Sequence, residues 1–543
     1  MTGSENIFKR YSWQLLSLLA GGLLMMAFPK WNVPGFAWVA PGMILFIGVG
    51  GDTKRAFLSG LIFGMAFAVG TIYWLQYMPV TGLPILAWWS LATYLAVYHA
   101  LWVWFCRRTL PGTLEDMLKA PWAQRTSWIM AMAGMWVLSE WTVGWMLTGF
   151  PWLSIGVTQH RLIPLIQFAS VAGLPGLSFV IVWFSLSLMF SLYALAMQPR
   201  QRFLAWREIF LPLLVVSVLF ASGSVRVKRF DDGETRKVTV GLVQPSFPQT
   251  LLWDPKTAED RLDRMIELSH EALASRPDLL MWPEGGMPGL ILHHEEIADA
   301  VFGLVVEHET PLICGGDDAR MRPTATDHGE REDWAYFNSA MLVEPGGVRG
   351  VYDKRRLVAF GEYAPLADWL PFMKKLTPIG EGFTPGDKPV QMTMAKLDLT
   401  VSPLVCFEDA FAWLARDAVK ADTDLLVNVT NDGWFSESAE QWQHLANALF
   451  RAVETGRPLI RCANNGITCW VDPMGRVYGS GYPDGRSAYA AGIKEFEVAI
   501  PKQPVTTYYW RRGNWFIVIC LLLIVRPLIG IWKSRRAELN DHP

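Results

Sequence analysis

The chain has 543 residues, of which 51% are hydrophobic and only 18% are charged. That charged share is low for a soluble protein, and the length allows more than one domain. The formal net charge of −2 gives no electrostatic argument for nucleic-acid binding. The six cysteines are too scattered to predict a disulfide framework or a zinc site. Cys462 and Cys469 flank a hairpin turn signal and could face each other across the hairpin. Two unpaired cysteines in a core are the favoured interpretation.

Up to about residue 225 the sequence is a series of apolar stretches of nearly bilayer-spanning length. About seven membrane helices are predicted over residues 1–225, at 13–28, 36–50, 57–75, 85–106, 128–147, 174–197 and 209–221. A further apolar stretch at 514–532, with basic residues after it, predicts a final span within 506–543. The sequence therefore predicts a multi-pass α-helical membrane domain.

Basic residues alternate between the predicted loops. They precede the first predicted span and follow the second, fourth and sixth, whereas the opposite loops carry little beyond Lys30 and Arg161. The positive-inside rule then places the N-terminus in the cytoplasm, and an odd number of spans places the next domain on the far side. Arg226, Lys228 and Arg229 oppose this topology, although a large translocated domain weakens their influence.

A polar domain follows and is expected to span residues 226–505. Predicted strands at 238–243, 279–282, 312–314, 348–352, 400–406, 425–430, 459–463 and 468–471 alternate with helices at 257–275 and 295–308. This alternation predicts a layered α/β domain, either simply layered or αββα. Acidic residues at 317–318 and 327–330 lack metal-ligand spacing and are expected in solvated loops.

The stretch 399–409 combines a buried strand with candidate chemistry. An apolar run ends at Cys406, and Glu408 and Asp409 follow at once. A helix is expected to start at Asp409, which would place the thiol near backbone N–H groups that favour the thiolate. Pro403 is a mild objection, because proline cannot donate to a strand ladder. A buried structural cysteine is the alternative interpretation.

Two other stretches carry charged side chains at strand ends. Glu284 follows the predicted strand 279–282, and Lys354 follows the predicted strand 348–352. Glu362 lies on a glycine turn soon after the lysine. A carboxylate can deprotonate a thiol, and an ammonium can stabilise an oxyanion. Each charge alone would usually be a solvated surface group, but the ordered set is hard to explain in that way.

The motifs WPE, YDKRRLVAFGEY and PLVCFED resemble the nitrilase superfamily, whose members use a Glu–Lys–Cys triad in this order. GEYAP, NDGWF and the apolar N-terminal half resemble the apolipoprotein N-acyltransferase family more closely, nearly end to end. The resemblance implies a nitrilase-like αββα sandwich, with Glu284 as general base, Lys354 as oxyanion stabiliser and Cys406 as nucleophile. It further implies supporting or substrate-binding roles for a second group of residues, namely Trp253, Asn338, Glu362, Glu408, Trp434 and Phe435. Phe407 stands where some relatives carry a tyrosine.

The resemblance also implies a reaction and a location. A fatty acyl group would pass from a phospholipid, through a thioester, to the α-amine of a diacylglyceryl-modified N-terminal cysteine of an apolipoprotein. Neither a cofactor nor a metal is expected, and no phosphate-binding loop is found in the sequence. The enzyme would lie in a bacterial inner membrane among its lipids, with a periplasmic catalytic domain. Alternatives are a membrane-anchored amidase or nitrilase that uses water, and a transporter or scaffold that only binds.

Three apolar segments could admit lipid and exclude water near the thiol. They are residues 247–253, 369–373 and 434–435. Exposed apolar loops beside a reactive group indicate an acyl-chain pocket or a membrane-dipping arm. Ordinary core aromatics are an equally good interpretation of each loop alone.

Overall fold

The structure is a computed structural model that describes residues 2–79, 83–198, 202–252, 254–326, 329–365, 367, 382–481 and 487–540. The chain forms two compact units. The first comprises Met1–Gln76, Pro84–Arg229 and Arg511–Pro543, and the second consists mainly of Phe230–Trp510. Of the predicted apolar segments near the thiol, Trp253 and residues 369–373 lie outside the described residues.

The first unit is helical, and every stretch predicted as a span falls on a helix. Its first nine helices are α1 (Thr2–Ala27), α2 (Ala40–Val49), α3 (Thr53–Thr71), α4 (Leu83–Thr109), α5 (Leu114–Lys119), α6 (Trp122–Val143), α7 (Ile163–Ile166), α8 (Ala169–Met197) and α9 (Arg202–Asp231). Helix α9 is much longer than the predicted stretch 209–221, so Arg226, Lys228 and Arg229 lie within it.

Among the residues that the structure describes, two helices of this unit are long and apolar enough, by length and composition, to cross a bilayer. They are Ala169–Met197 and Ala205–Asp231. Shorter apolar helices lie at Tyr11–Ala27, Pro34–Val49 and Trp515–Gly530. The length and composition of these helices are therefore compatible with a membrane.

Glycines allow α3 to pack closely against α4. Gly60 and Gly64 lie four residues apart, on one face of α3. A Cβ at Gly60 would lie 2.6 Å from the carbonyl oxygen of His99, and one at Gly64 would lie 2.6 Å from Cα of Ala96. Such small-residue contacts are typical of helices that associate in membranes.

The second unit contains two six-stranded sheets. The first sheet has the order β12-β1-β2-β3-β4-β5 and the second the order β11-β10-β9-β8-β7-β6. Their strands are β1 (Thr235–Gln244), β2 (Leu279–Met281), β3 (Leu312–Thr326), β4 (Gly329–Glu344), β5 (Gly347–Asp353), β6 (Met392–Met394), β7 (Leu399–Val405), β8 (Leu425–Thr430), β9 (Leu459–Ala463), β10 (Cys469–Val471), β11 (Val477–Tyr478) and β12 (Gly492–Pro501). Strands β1–β3 and β7–β9 are parallel within their sheets, and the flanking strands are antiparallel.

The two sheets enclose one apolar core and carry helices on their outer faces. The helices of this unit are α10 (Gln249–Leu252), α11 (Ala258–Leu273), α12 (Glu295–His308), α13 (Ala412–Ala418) and α14 (Glu440–Thr455). They are followed by α15 (Tyr508–Arg512) and by α16 (Trp515–Asn540), which belongs to the first unit. The core between the sheets includes Val240 and Ile313 from the first and Val401 and Val427 from the second. Helices α11 and α12 pack on the first sheet, and α13 and α14 contact the second. The αββα prediction is confirmed for this unit.

Three local predictions need comment. Pro403 does lie within β7, where it pairs in register with Val427 of β8, and the pairing of β7 with β6 ends at Val401, before the proline. Asp317 and Asp318 lie within β3 and not in a solvated loop, because the long β3–β4 pairing extends across them. Of the acidic stretch 327–330, residues 327–328 lie outside the described residues, and 329–330 begin β4.

The cysteines are all free. In the hairpin formed by β9 and β10, Cys469 pairs in register with Arg461 and not with Cys462. Both hairpin cysteines are buried. The prediction of unpaired core cysteines is therefore confirmed.

Candidate active site

The candidate side chains come from the ends of strands in both sheets of the second unit. Glu284 lies three residues beyond β2, Lys354 follows β5 directly, and Cys406 follows β7 directly. Ligand sites of open α/β sheets lie beyond the carboxyl ends of their strands, so this placement is physically expected.

Lys354 is the centre of a buried polar cluster. Its side chain is 0% exposed, and Nζ donates to Oε1 of Glu284 at 3.1 Å and to Oε1 of Glu362 at 2.8 Å. Asn338 Nδ2 donates to the same two oxygens, at 2.7 and 2.8 Å. Lys354 and Asn338 are thus two donors that share two acceptors, Glu284 and Glu362. The structure therefore brings these four residues together, and all four were expected at the site.

The backbone around the cluster is fixed by further hydrogen bonds. Lys354 N donates to the carbonyl oxygen of Asn338 at 2.8 Å, and Val358 N donates to Oε2 of Glu362 at 2.8 Å. Glycine is needed at Gly315 on β3, since a Cβ there would lie 2.7 Å from Cα of Glu284. These contacts pre-organise the cluster before any substrate arrives.

The charges of the cluster define what each group can do. Burial opposes the charge of Lys354, but the neighbouring acidic groups, among them the hydrogen-bonded Glu284 and Glu362, raise the pKa of the lysine well above its usual value. Lys354 is therefore a stable cation. Oε2 of Glu284 is buried and makes no hydrogen bond within the described part of the chain. That oxygen is thus available to accept a proton.

Cys406 has an unusual backbone conformation. Its φ is +55°, a left-handed value that costs a non-glycine residue of order 1–3 kcal/mol. Cys406–Ala410 form a 3-10 turn, and α13 begins only at Ala412, so the predicted helix start at Asp409 is wrong by three residues. Asn428 Nδ2 donates to the carbonyl oxygen of Cys406 at 2.8 Å and helps to hold this turn.

The expected preference of Cys406 for the thiolate is also corrected. Burial and the negative charge of Glu284 raise the pKa of the thiol well above its usual value, although Lys354 acts in the opposite direction. The resting thiol is therefore protonated and needs a base. Burial raises the pKa of Cys314 to about 12 and that of Cys469 to about 11. Both are fully buried, whereas Cys406 is partly exposed.

Glu408 joins the cysteine turn to the lysine segment. Its Oε1 accepts from the backbone N of Arg355 at 2.7 Å and of Arg356 at 2.9 Å. Its Oε2 accepts from Val405 N and from the hydroxyl of Tyr352, each at 2.9 Å. Burial raises the pKa of Glu408, although these hydrogen bonds oppose the shift. With 0% exposure, Glu408 has the geometry of a positioning residue and not that of a substrate ligand.

The aromatic residues near the site are placed differently from one another. Lys354 Nζ lies 5.6 Å from the centroid of the Phe407 ring, within range of a cation–π contact. This phenylalanine supplies no hydroxyl where some relatives have one. Trp434 and Phe435 belong to the 3-10 turn Asp432–Phe435 after β8 and are partly buried. Trp253 lies outside the described residues.

Sequence reasoning missed Tyr352 and Asn428, which hold Glu408 and Cys406 in place. Tyr352 stands two residues before Lys354, and strand alternation puts their side chains on the same face of β5. That signal could have found Tyr352, but no sequence feature connects Asn428 with Cys406, 22 residues away.

Two groups of side chains have the donor types that bind metal ions. Within the described residues, His270, Glu307 and His308 form an exposed group, and Asp432, Glu440 and His444 form a buried one. In the buried group, Arg461 Nη2 lies 3.2 Å from Nδ1 of His444. A resident guanidinium makes that position unfavourable for a second cation.

The site and the two-sheet fold define a member of the carbon–nitrogen hydrolase class. Residues 239–488 match the family model described as carbon-nitrogen hydrolase, and residues 20–187 match the apolipoprotein N-acyltransferase N-terminal domain. The apolipoprotein N-acyltransferase of Geobacter metallireducens is 34% identical over 86% of this chain and 86% of its own length. That of Shewanella oneidensis is 30% identical over 96% of both chains. The chain belongs to the apolipoprotein N-acyltransferase family, a transferase family within the carbon–nitrogen hydrolase superfamily.

Among solved structures, an amidase from Nesterenkonia sp. is similar at 19% identity, with a TM-score of 0.34. The match covers 51% of this chain and 94% of the amidase.

Proposed function

We propose that the chain transfers a fatty acyl group from a phospholipid to the α-amine of the N-terminal diacylglyceryl-cysteine of an apolipoprotein. The observation that supports this most directly is the buried ion pair of Glu284 and Lys354, which follows strand ends as Cys406 does. The pair offers a base for the protonated thiol and a cation for an oxyanion. In this proposal Cys406 is the nucleophile, Glu284 the general base and Lys354 the oxyanion stabiliser. Asn338, Glu362 and Glu408 position them.

The first half of the reaction acylates the enzyme. Glu284 Oε2 takes the thiol proton, and Sγ attacks the carbonyl carbon of the phospholipid ester. Lys354 stabilises the negative oxygen of the tetrahedral intermediate, a contribution of about 3–4 kcal/mol for a single donor. The intermediate collapses to the thioester, and Glu284 returns its proton to the departing lysophospholipid oxygen.

The second half releases the product. The α-amine of the acceptor attacks the thioester carbonyl, and Lys354 again stabilises the oxyanion. Glu284 takes a proton from the attacking nitrogen and delivers it to the departing Cys406 thiolate, which restores the protonated thiol. The products are an amide and free enzyme, so no external energy source is required.

The proposed location is a bacterial inner membrane, crossed several times by residues 1–225 and once by 506–543. Residues 226–505 would form the catalytic domain on the periplasmic side. The apolar helices, the close glycine packing of α3 on α4, and the alternation of basic loops support this arrangement. Trp434 and Phe435, which follow β8, would contribute to lipid binding, and family resemblance implies the same role for Trp253.

A membrane-anchored amidase or nitrilase-type hydrolase is the runner-up, because the same triad can pass the acyl group to water. The match of residues 20–187 to the N-terminal domain of the acyltransferase family favours transfer. The two reactions differ in the fate of the thioester. A transferase must protect it from water until the amine arrives.

The test is the lifetime of acyl-Cys406 in detergent after incubation of the full chain with phospholipid. Intact-mass spectrometry should show an added acyl mass that persists without acceptor. A lipopeptide with a free α-amine should discharge it into an amide, whereas the same lipopeptide with an acetylated amine should not. Release of free fatty acid at a rate unaffected by either lipopeptide would establish the hydrolase instead.

A further inference from the structure

A second polar cluster lies behind the turn that carries Cys406, and the proposed mechanism does not use it. Its members are charged or titratable, and each is at most 2% exposed: Asp409, Asp432, Glu440, His444 and Arg461. They come from the turns after β7 and β8, from helix α14 and from strand β9. Such a concentration of buried charge is costly unless its members are paired.

His444 bridges the two turns. Its Nε2 lies 2.7 Å from Oδ1 of Asp409, and its Nδ1 lies 2.8 Å from Oδ1 of Asp432. Carboxylate oxygens only accept hydrogen bonds, so a proton on each ring nitrogen satisfies both contacts. Burial opposes this charge, but Asp409 and Asp432 outweigh burial and Arg461 and raise the pKa of His444 to about 10. The ring is therefore an imidazolium.

The cluster is electrically balanced. Arg461 pairs with Asp409, and its Nη2 lies 3.8 Å from Oδ2 of Asp432. Burial and the charge of Asp432 raise the pKa of Glu440 well above its usual value, which disfavours the charged form of Glu440. Two carboxylates thus face two cations. A metal ion bound to Asp432, Glu440 and His444 would have to displace both a ring proton and the guanidinium.

We propose that His444 is a positioning residue that fixes the turn carrying Cys406 relative to the turn carrying Trp434 and Phe435. The first turn is attached through Asp409 and the second through Asp432. The two turns follow β7 and β8, which are adjacent parallel strands. This inference rests on the proposed function in one respect: it assigns the second turn to binding of the acyl donor.

The neighbouring acids of the cysteine turn then have complementary tasks. Glu408 attaches the turn to the segment that carries Lys354, and Asp409 attaches it to the Trp434–Phe435 turn through His444. The thiol is held against the oxyanion-stabilising cation on one side and against the acyl-binding turn on the other. Loss of the second attachment should misplace the ester carbonyl relative to Sγ and slow acylation.

The test uses charge-balanced double variants, because removal of His444 alone would leave an uncompensated buried charge. His444→Gln with Asp432→Asn removes one charge of each sign and releases the Trp434–Phe435 turn. His444→Gln with Asp409→Asn keeps the same balance and releases the cysteine turn. His270→Gln, at an exposed position of the same unit, is the matched control.

Three measurements are made on the full chain: hydrogen exchange by mass spectrometry, the rate of acyl-Cys406 formation from phospholipid, and titration of the His444 ring by NMR. Both double variants should fold, exchange at least tenfold faster within residues 406–411 and 432–436 only, and lose at least tenfold in kcat for acylation. The control should match the wild type in exchange and acylation. In the wild-type chain the ring should keep both protons to pH 9.

Folded double variants that exchange and acylate within twofold of the wild type would overturn the proposal, as would a His444 ring that loses a proton near pH 6.5. Faster exchange spread over the whole unit would show a merely structural role and would also overturn it. If the wild-type chain forms no acyl-enzyme at all, the proposed function fails, while the exchange pattern and the His444 titration still decide the positioning role.

Discussion

Replacement of Glu408 by glutamine separates positioning of Cys406 from binding of substrate. The glutamine oxygen can keep the two backbone donors of Arg355 and Arg356, and its NH2 group can donate to the Tyr352 hydroxyl. Val405 N, which now donates to Oε2, then has no acceptor. An orphaned buried donor costs about 1–3 kcal/mol, and loss of charge from the two retained bonds costs about 1 kcal/mol each. The total is about 3–5 kcal/mol.

Part of this free energy should be expressed as a displacement of the Cys406 thiol, because Val405 immediately precedes Cys406. If the cost of the orphaned donor, about 1–3 kcal/mol, appears as misplacement of the thiol, the acylation rate should fall roughly 5- to 160-fold. The assay is the rate of acyl-Cys406 formation from phospholipid, measured over a range of donor concentrations. A positioning role predicts a lower kcat with KM nearly unchanged.

Glu495→Gln is the matched control, since Glu495 is exposed on β12 of the same unit and should tolerate the change. A Glu408→Gln chain that acylates within twofold of the wild type would refute the reasoning. A raised KM at constant kcat would also contradict it and would make Glu408 a substrate ligand, which is one of the two roles that family resemblance implied.

Four further predictions concern the triad and the membrane. Cys406→Ala should abolish the thioester seen by intact-mass spectrometry, whereas Cys462→Ala and Cys469→Ala should retain it; wild-type turnover in Cys406→Ala would end the covalent mechanism. Lys354→Ala should lower kcat by roughly 10²–10³, and Lys354→Arg should restore it only in part, because a planar fork replaces a point charge; near-normal turnover in the alanine variant would disprove the oxyanion role. Glu284→Gln should stop acylation by phospholipid yet speed alkylation of Cys406 by iodoacetamide at pH 7, because it removes a charge that raises the thiol pKa; in the wild type, the alkylation rate should still rise with pH well beyond about 8.5, the usual pKa of a thiol, whereas a rate that levels off just above that pH would show an ordinary thiol and one that levels off below it a lowered pKa, and either would contradict the raised pKa. Reporter fusions after Arg202 and after Lys237 should report opposite sides of the membrane, and the same side for both would remove one span.

The pattern of apolar residues correctly predicted those helices and strands of the second unit that bury an apolar face. Helix α12 was expected at 295–308 and lies at Glu295–His308, and strand β9 was expected at 459–463 and lies at Leu459–Ala463. Each is bounded by a clear change in composition. The αββα layering follows from the alternation of such segments.

The long hairpin of β3 and β4 could not be predicted in the same way. Only 312–314 was expected as a strand, but β3 extends to Thr326 and β4 runs back from Gly329. The added residues are mostly polar, and continuous cross-strand pairing holds them in the sheet. Tertiary pairing overrides local propensity here, as is usual for strands. Asp317 and Asp318 were misplaced for this reason.

The placement of Glu284, Lys354 and Cys406 could be predicted because each stands close behind a strand, and strand ends are visible in the sequence. The hydrogen-bond partners of Glu408 and Asp409 could not be predicted in this way. These adjacent acids attach the cysteine turn to different segments, and nothing in the sequence distinguishes their directions. His444 meets Asp432 and Asp409 across 12 and 35 residues. Only the assembled fold brings those charges together.

The two unusual properties of Cys406 have a common structural origin. A left-handed φ is strained, and it persists only where the surroundings fix the turn more strongly than the strain opposes it. Glu408, Asp409 and Asn428 provide that fixation through hydrogen bonds on separate sides of the turn. The same packing buries the thiol in part, and burial together with the charge of Glu284 raises its pKa. A thiol that is held in place but kept protonated needs a proton acceptor before it can attack, which is the role proposed above for the buried Oε2 of Glu284.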